Sequence, residues 1–339
     1  MKAKHVLVLV DWHPGTNTFP VFKKNFDEIR VLGGPFLKGA TSGLQKVLFR
    51  WSMYIWVGIK AIFLSRNYDT VIAFQPVCGL ILGSFYRLFN IKSKQLILLN
   101  MIFTERSSQL YFNLRKNFVR WVLKTVDGIS VYTTGEINSL AELFHYPKKK
   151  IFLVRQGVRL NKAVNRIPAD KLKNYIFSAG MSLRDYSSLI EAVRTLDIPV
   201  KIVCQPYNIK GLNIPDHVHI HLNLWGEEVV TLRRNARMVV IPLLYKNISA
   251  GQYDILYSMS EGKAIIASHT VASVEHITDD KDGFLVPCRD VEALQDRILK
   301  LWNNSHLIDK IGSQAQETFN NNFTFEVYQQ NVLSNLQNL

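Results

Sequence analysis

The chain has only three cysteines, Cys78, Cys204 and Cys288, and they lie far apart. An odd number with no metal-ligand spacing excludes a disulfide or zinc framework and points to a reducing compartment. Each sits beside an apolar run, as a small core residue does. No run of about 18 uncharged apolar residues occurs, so no membrane-spanning helix is expected. The longest candidate, 71–86, is interrupted by Gln75 and Pro76. The opening MKAKHVLVLVD lacks a small-residue cleavage site and runs into Asp11, so it reads as a strand and not as a signal peptide. There is no Walker-type phosphate loop, no G-x-G-x-x-G after the first strand, no G-x-S-x-G elbow and no H-E-x-x-H. These absences argue against kinases, P-loop NTPases, ordinary dehydrogenases, α/β-hydrolases and zinc proteases.

Acidic residues are scarce in one half. Residues 1–161 hold 23 Lys+Arg against 8 Asp+Glu, and the remainder holds 18 against 19, so the net charge of +14 belongs to the first half. A basic half favours a polyanionic partner. Segment 44–66 is long enough for a helix, on which Lys46, Arg50 and Lys60 fall within about 80° of one another. Trp51, Tyr54 and Trp56 flank that stripe. Segment 107–124 repeats the device, with Lys116, Arg120 and Lys124 at four-residue spacing beside Phe112, Phe118 and Trp121. Basic stripes beside aromatics suit an anionic membrane surface. Helices packed on a sheet with solvated lysines give the same pattern. No nucleic-acid-binding motif occurs, so no nucleic acid is expected.

Apolar strand-like runs alternate with helical stretches almost throughout. In the first half the expected strands are 5–11, 70–74, 95–103, 128–132 and 151–154, with helices near 44–66, 77–89, 107–124 and 135–145. Thr133 and Glu136 have the spacing of a capping box. Residues 157–173 are polar, carry Pro168 and read as the interdomain linker. The alternation then restarts, with strands at 175–179, 200–204, 218–222, 238–242, 264–268 and 283–286. Such alternation means parallel sheets covered on both faces, with ligands at the carboxyl ends of the strands.

The informative segment is 239–286. A strand ends at Pro242, and a polar loop then leads through Ser249, Ala250, Gly251 and Gln252 into a helix. Small residues before a helix let backbone N–H groups approach an anion, which the helix dipole also favours. A plain tight turn explains the same residues. The acidic run Asp279, Asp280 and Asp282 precedes a glycine and reads as a solvated turn, not a metal site.

These residues carry a resemblance. SMSEGKAII (258–266) stands in the register of A-M-A-x-G-x-P-V-I, and Glu275 with DGFLV (282–286) matches E-x-I-x-D-G-x-x-G-x-L-V. FSAGMSLRDY (177–186), followed by LIEA (189–192), is similar to G-R-L-x-x-x-K-G-x-x-x-L-I-E-A. Residues 134–158 resemble S-x-x-E … I-x-V-I-x-N-G-V. Over about 130–339 the chain thus resembles the group 1 (family 4-like) glycosyltransferases of GT-B type.

The resemblance implies an α/β, GT-B architecture of two Rossmann-like, doubly wound domains facing a cleft. Residues 1–160 would form an acceptor and membrane-facing domain, and 161–319 a nucleotide-sugar domain. Residues 320–339 would form a helix packing across the domain junction. Implied chemistry is sugar transfer from a nucleoside-diphosphate sugar, with no cofactor and no bound metal, and with retention as the default. The implied donor site is Gly180, Arg184, Ser249, Ala250, Gly251, Gln252, Asp254 and Tyr257. Ser249 and Tyr257 occupy the register of the family's two glutamates, so Asp254 is the remaining carboxylate. Arg184 aligns with the family's lysine, whose basic companion is lacking; Arg155 or Lys263 would have to compensate. On the acceptor side the catalytic candidates are Glu105, His13 and Asp11, each just past a strand end. Asp11 or Glu105 as a helix cap, and His13 as a loop residue, are the plain alternatives. The expected acceptor is a lipid-linked saccharide or other amphiphile of cell-surface polysaccharide or glycolipid synthesis, met at the inner face of the cell membrane. The rivals are an inactive GT-B-like binding protein and a soluble transferase with a non-lipid acceptor.

Overall fold

A computed structural model describes residues 5–11, 18–34, 43–91, 95–103, 108–160, 165–247, 249–337 and 339, without side chains at 43–46. The chain divides into two compact units, Met1–Arg155 with Tyr328–Leu339, and Gln156–Val327.

In the first unit the elements run β1 (His5–Leu9), α1 (Pro20–Asn25), β2 (Glu28–Leu32), α2 (Gly43–Leu64), β3 (Thr70–Ala73), α3 (Pro76–Leu88), β4 (Leu96–Leu98), α4 (Gln109–Val122), β5 (Gly128–Val131), α5 (Thr134–Phe144) and β6 (Ile151–Leu153). The six strands form one parallel sheet in the order β2-β1-β3-β4-β5-β6. Val6 to Val10 are all fully buried, which is why β1 reads as an unbroken apolar run: a central parallel strand is covered on both faces. Strand β2 left no such signal. It is an edge strand whose Glu28 and Arg30 are exposed, so only its pairing with β1 makes it a strand. Thr133 and Glu136 form the expected capping box at the start of α5.

The second unit runs β7 (Lys173–Ala179), α6 (Tyr186–Val193), β8 (Val200–Cys204), β9 (Val218–Leu222), α7 (Glu227–Asn235), β10 (Ala236–Ile241), α8 (Gln252–Ser260), β11 (Ile265–Ser268), β12 (Phe284–Val286), α9 (Val291–Trp302) and α10 (Ser305–Asn322). Its sheet is again parallel, in the order β12-β11-β10-β7-β8-β9. Apolar clusters fill both faces, one around Ile176, Ile202 and Ile298, the other around Phe177, Ile255 and Phe319. The fold is therefore two doubly wound α/β units, as the strand–helix alternation predicts.

The segment 157–173 is not a free linker but part of the second unit. The Val158 N–H donates to the Phe323 carbonyl at 3.0 Å, Arg166 pairs with Asp309, and Ala169 is buried. Polar composition here reflects hydrogen bonding to the unit's own surface. The last helix, α11 (Phe325–Leu336), belongs to the first unit from Tyr328 onward. The Tyr328 hydroxyl donates to Asn100 Oδ1 at 2.9 Å, and Gln329 Oε1 accepts from the Phe22 N–H at 3.4 Å.

Helix α10 crosses the Gly262 turn at Gly312, where a Cβ would stand 2.2 Å from the Gly262 carbonyl oxygen. Backbone cannot retreat as a side chain can. Gly312→Ala is expected to cost about 1–3 kcal/mol, read as a lowered urea midpoint with an unchanged slope. An unchanged midpoint would show that α10 shifts freely.

Candidate active site

In a doubly wound sheet the crevice opens where neighbouring strands send their crossovers in opposite directions. In the second unit that point lies between β7 and β10. The loops leaving these two strands are tied together there. The Asp185 N–H donates to the Pro242 carbonyl and the Leu244 N–H to the Leu183 carbonyl, both at 3.1 Å. Asp185 caps α6, accepting from the Ser188 N–H at 3.2 Å.

Arg184 sits at this point with its side chain almost fully buried. Its Nε donates to the Ala179 carbonyl at 2.9 Å, Nη1 to the Ser182 carbonyl at 3.1 Å, and Nη2 to the carboxylate of Asp254. Gly180 has φ +130°, and a Cβ there would stand 2.5 Å from the guanidinium. Glycine is required on both counts. Gly251 caps α8 with φ +78°, a left-handed conformation that favours glycine, and the first N–H groups of that helix have no partner within it. Gln252 is buried; Ser249 and Ala250 are half-buried. The structure thus brings Gly180, Arg184, Asp254 and the 249–252 turn to one edge of the second unit.

Tyr257 stands one turn further along α8. Its ring stacks with Tyr253, at 6.3 Å between centroids, and lies 5.4 Å from the Arg233 guanidinium. Arg233 in turn makes a buried two-pronged pair with Glu261 at 2.7 and 2.8 Å. Lys263 does not compensate for the missing basic companion. It follows the far end of α8, is buried, and donates to the Arg234 carbonyl at 2.9 Å. The sequence reading missed Arg289, which lines a recess at the carboxyl ends of β10–β12 with Asp185, Ser188 and Ser268. No motif marks it; only its place after β12 does. The acidic run is a turn: Asp280 pairs with Arg297 and Lys300, and Asp282 accepts from the Thr278 N–H at 2.7 Å.

In the first unit the corresponding point lies between β1 and β3. Asp11 follows β1 and Gln75 follows β3. Gln75 Nε2 donates to Asp11 Oδ2 at 2.8 Å and to the Tyr54 oxygen at 3.2 Å, and the Tyr54 hydroxyl reaches Asp11 at 3.5 Å. Burial, reinforced by the Asp11 carboxylate, pushes the Tyr54 hydroxyl up to about 12, so it stays a proton donor. In the sequence Gln75 only interrupts an apolar run and Tyr54 only flanks a basic stripe, so no local signal marks either. His13 and Glu105 lie outside the described residues.

The surface helices of this unit differ from the basic stripes expected. On α2 the exposed face is chiefly apolar: Leu48, Trp51, Ile55, Ile59 and Phe63 are all exposed. Arg50 and Lys60 are exposed beside it, and the Lys60 ammonium stands 4.1 Å over the Trp56 ring. The inner face, Met53, Tyr54, Val57 and Ala61, belongs to the unit's core. By length and composition Val47–Asn67 is long and apolar enough to cross a membrane, and 33% of its most apolar stretch is buried. On α4, Leu110, Tyr111, Leu114 and Phe118 are exposed, as are Arg120 and Lys124, whereas Lys116 is half-buried over the Phe112 ring. The Lys46 side chain lies outside the described residues.

Residues 182–304 match the family model for group 1 glycosyl transferases. The second unit carries a group 1 glycosyltransferase domain. No curated protein matches the sequence. Among solved structures the chain is similar to HepE of Anabaena in complex with UDP-glucose, with a TM-score of 0.68 at 13% identity over 99% of this chain and 100% of that one. It is similar to sucrose-phosphate synthase of Thermosynechococcus elongatus, with a TM-score of 0.71 at 14% identity over 98% of both chains. The lipopolysaccharide outer core galactosyltransferase WaaB gives a TM-score of 0.64 at 12% identity over 98% of this chain and 99% of that one. At such identities the likeness shows the GT-B fold. Together with the family match over residues 182–304, this is the fold of a glycosyltransferase.

Burial lowers Lys263 from its usual range to about 7. The unfolded chain keeps that proton to about pH 10.4. From about pH 7 upward the unfolded state therefore binds more protons, and the native state gains stability as pH rises. Stability of the wild type relative to Lys263→Met is expected to rise between about pH 7 and about pH 9, measured by denaturant titration. Parallel pH profiles would remove the claim.

Proposed function

We propose that the protein transfers a sugar from a nucleoside-diphosphate sugar to a lipid-linked saccharide at the cytoplasmic face of an anionic membrane. Transfer proceeds with retention and without a bound metal. The observation that carries the donor half is Arg184 facing the start of α8 at the second unit's switch point. As the glycosidic bond to the diphosphate breaks, negative charge grows on the leaving oxygens. A buried guanidinium and the N–H groups of the 249–252 turn stabilise it without reorganising. Gln252 and Tyr257 supply hydrogen-bonding groups to the donor. Asp11, held by Gln75 and Tyr54, is the acceptor-side carboxylate, placed to accept a hydroxyl proton.

The acceptor half rests on the first unit's surface. Exposed apolar and aromatic side chains on α2 and α4, beside the exposed Arg50, Lys60, Arg120 and Lys124, have the composition that suits an anionic lipid interface.

Two measurements test this. UDP and UDP-sugars are the first probes, because HepE is seen with UDP-glucose. At 100 times its dissociation constant a bound ligand adds about 2.7 kcal/mol. An upward melting shift is expected, lost in Arg184→Ala. No shift with any nucleoside diphosphate would favour an inactive relative. The second is vesicle co-sedimentation. Binding to anionic vesicles is expected to fall at least about tenfold on combining Trp51→Ser, Ile55→Ser and Ile59→Ser, with UDP binding retained. Binding that survives these changes would sink the membrane assignment.

A further inference from the structure

Arg184 already holds an anion. Of the five N–H donors of a guanidinium, one is spent on the Ala179 carbonyl and one on the Ser182 carbonyl, which fix its plane against the end of β7. A third goes to Asp254. The two partners are unequal: the Arg184 side chain is 4% exposed, that of Asp254 29%. Asp254 also stands in the first turn of α8, where the helix dipole favours negative charge. One carboxylate thus holds the guanidinium that a diphosphate would use, from a position in the first turn of the helix whose dipole would also favour that diphosphate.

We propose that Asp254 is a positioning and selectivity residue: an internal anion that holds Arg184 in the free protein and is displaced by the donor's diphosphate. The proposal rests on Arg184 being the diphosphate's partner. The exchange needs a ligand that outbids a carboxylate. A singly charged anion trades one ion pair for an equivalent one and gains nothing. A diphosphate brings more charge and spans both the guanidinium and the N–H groups of the 249–252 turn. Asp254 therefore selects for the diphosphate before any sugar or base is read. Once displaced, its carboxylate stays on the face of α8 shared with Tyr257, three residues on, as an acceptor for donor hydroxyls.

The test is calorimetric titration of the full chain with inorganic pyrophosphate at fixed ionic strength. If the carboxylate competes, Asp254→Asn removes a like charge from the seat, and pyrophosphate is expected to bind about tenfold tighter than to wild type. Acetate, as a singly charged probe, is expected to become a measurable competitor only in that variant. Arg184→Ala is expected to abolish binding, and the double variant to bind no better than Arg184→Ala alone. Asp254→Ser keeps a first-turn oxygen for α8 and is expected to show the same gain, which guards against misfolding of the first variant. Equal or weaker binding in both Asp254 variants, with Arg184→Ala still defective, would overturn the proposal and make the carboxylate a support. A gain that persists without Arg184 would overturn it too, as a long-range charge effect. Undiminished binding by Arg184→Ala would remove the donor-site assignment along with it.

Discussion

The guanidinium of Arg184 is the joint on which the carboxyl edge of the second unit depends. It closes the turn after β7 through the Ala179 and Ser182 carbonyls and reaches α8 through Asp254. It fills the space a side chain at position 180 would need, which fixes a glycine there. The backbone bonds between the two loops fix the turn that leads into α6. A buried charge is tolerated only when its donors are satisfied and its charge is matched. The turn, the helix start and the carboxylate are thus parts of one solution to burying a cation beside strand ends.

Both units place a polar pair at the same topological position, but with different chemistry. In the second, a cation is matched by an anion. In the first, the Asp11 carboxylate is held by the neutral groups of Gln75 and Tyr54. A cation matched by a displaceable carboxylate is suited to receiving another anion. The two switch points thus differ in their local electrostatics, and the proposed division between donor and acceptor duties rests on that difference.

Helix α2 serves two surfaces. Its inner side gives Met53 and Val57 to the core and Tyr54 to Asp11, and its outer side shows Trp51, Ile55 and Phe63 to solvent. A helix apolar all round would suit a larger core or a bilayer. Here one face packs on a sheet and the other remains uncovered, which is why mean composition alone did not distinguish a core helix from an interfacial one. Sequence spacing put the emphasis on Arg50 and Lys60; the packing shows that the uncovered aliphatic and aromatic groups are the larger feature.

The sequence by itself determined the strand–helix alternation, the central strands, the capping box at Thr133 and the small-residue turn that opens α8. Each is written in local periodicity or in residues whose backbone demands are local, such as Gly180 and Gly251. Strand β2, the attachment of 157–173 to the second unit, the contacts of Gln75 and Tyr54 with Asp11 and the place of Arg289 beside Asp185 came only with the tertiary structure. So did the burial of Lys263 and the pairing of Arg184 with Asp254, 70 residues apart in the chain. Strand order in a parallel sheet is set by crossovers whose packing no local pattern encodes, and that order decides which loop ends meet. The residues are local facts, whereas the site is a property of how the sheets are wound.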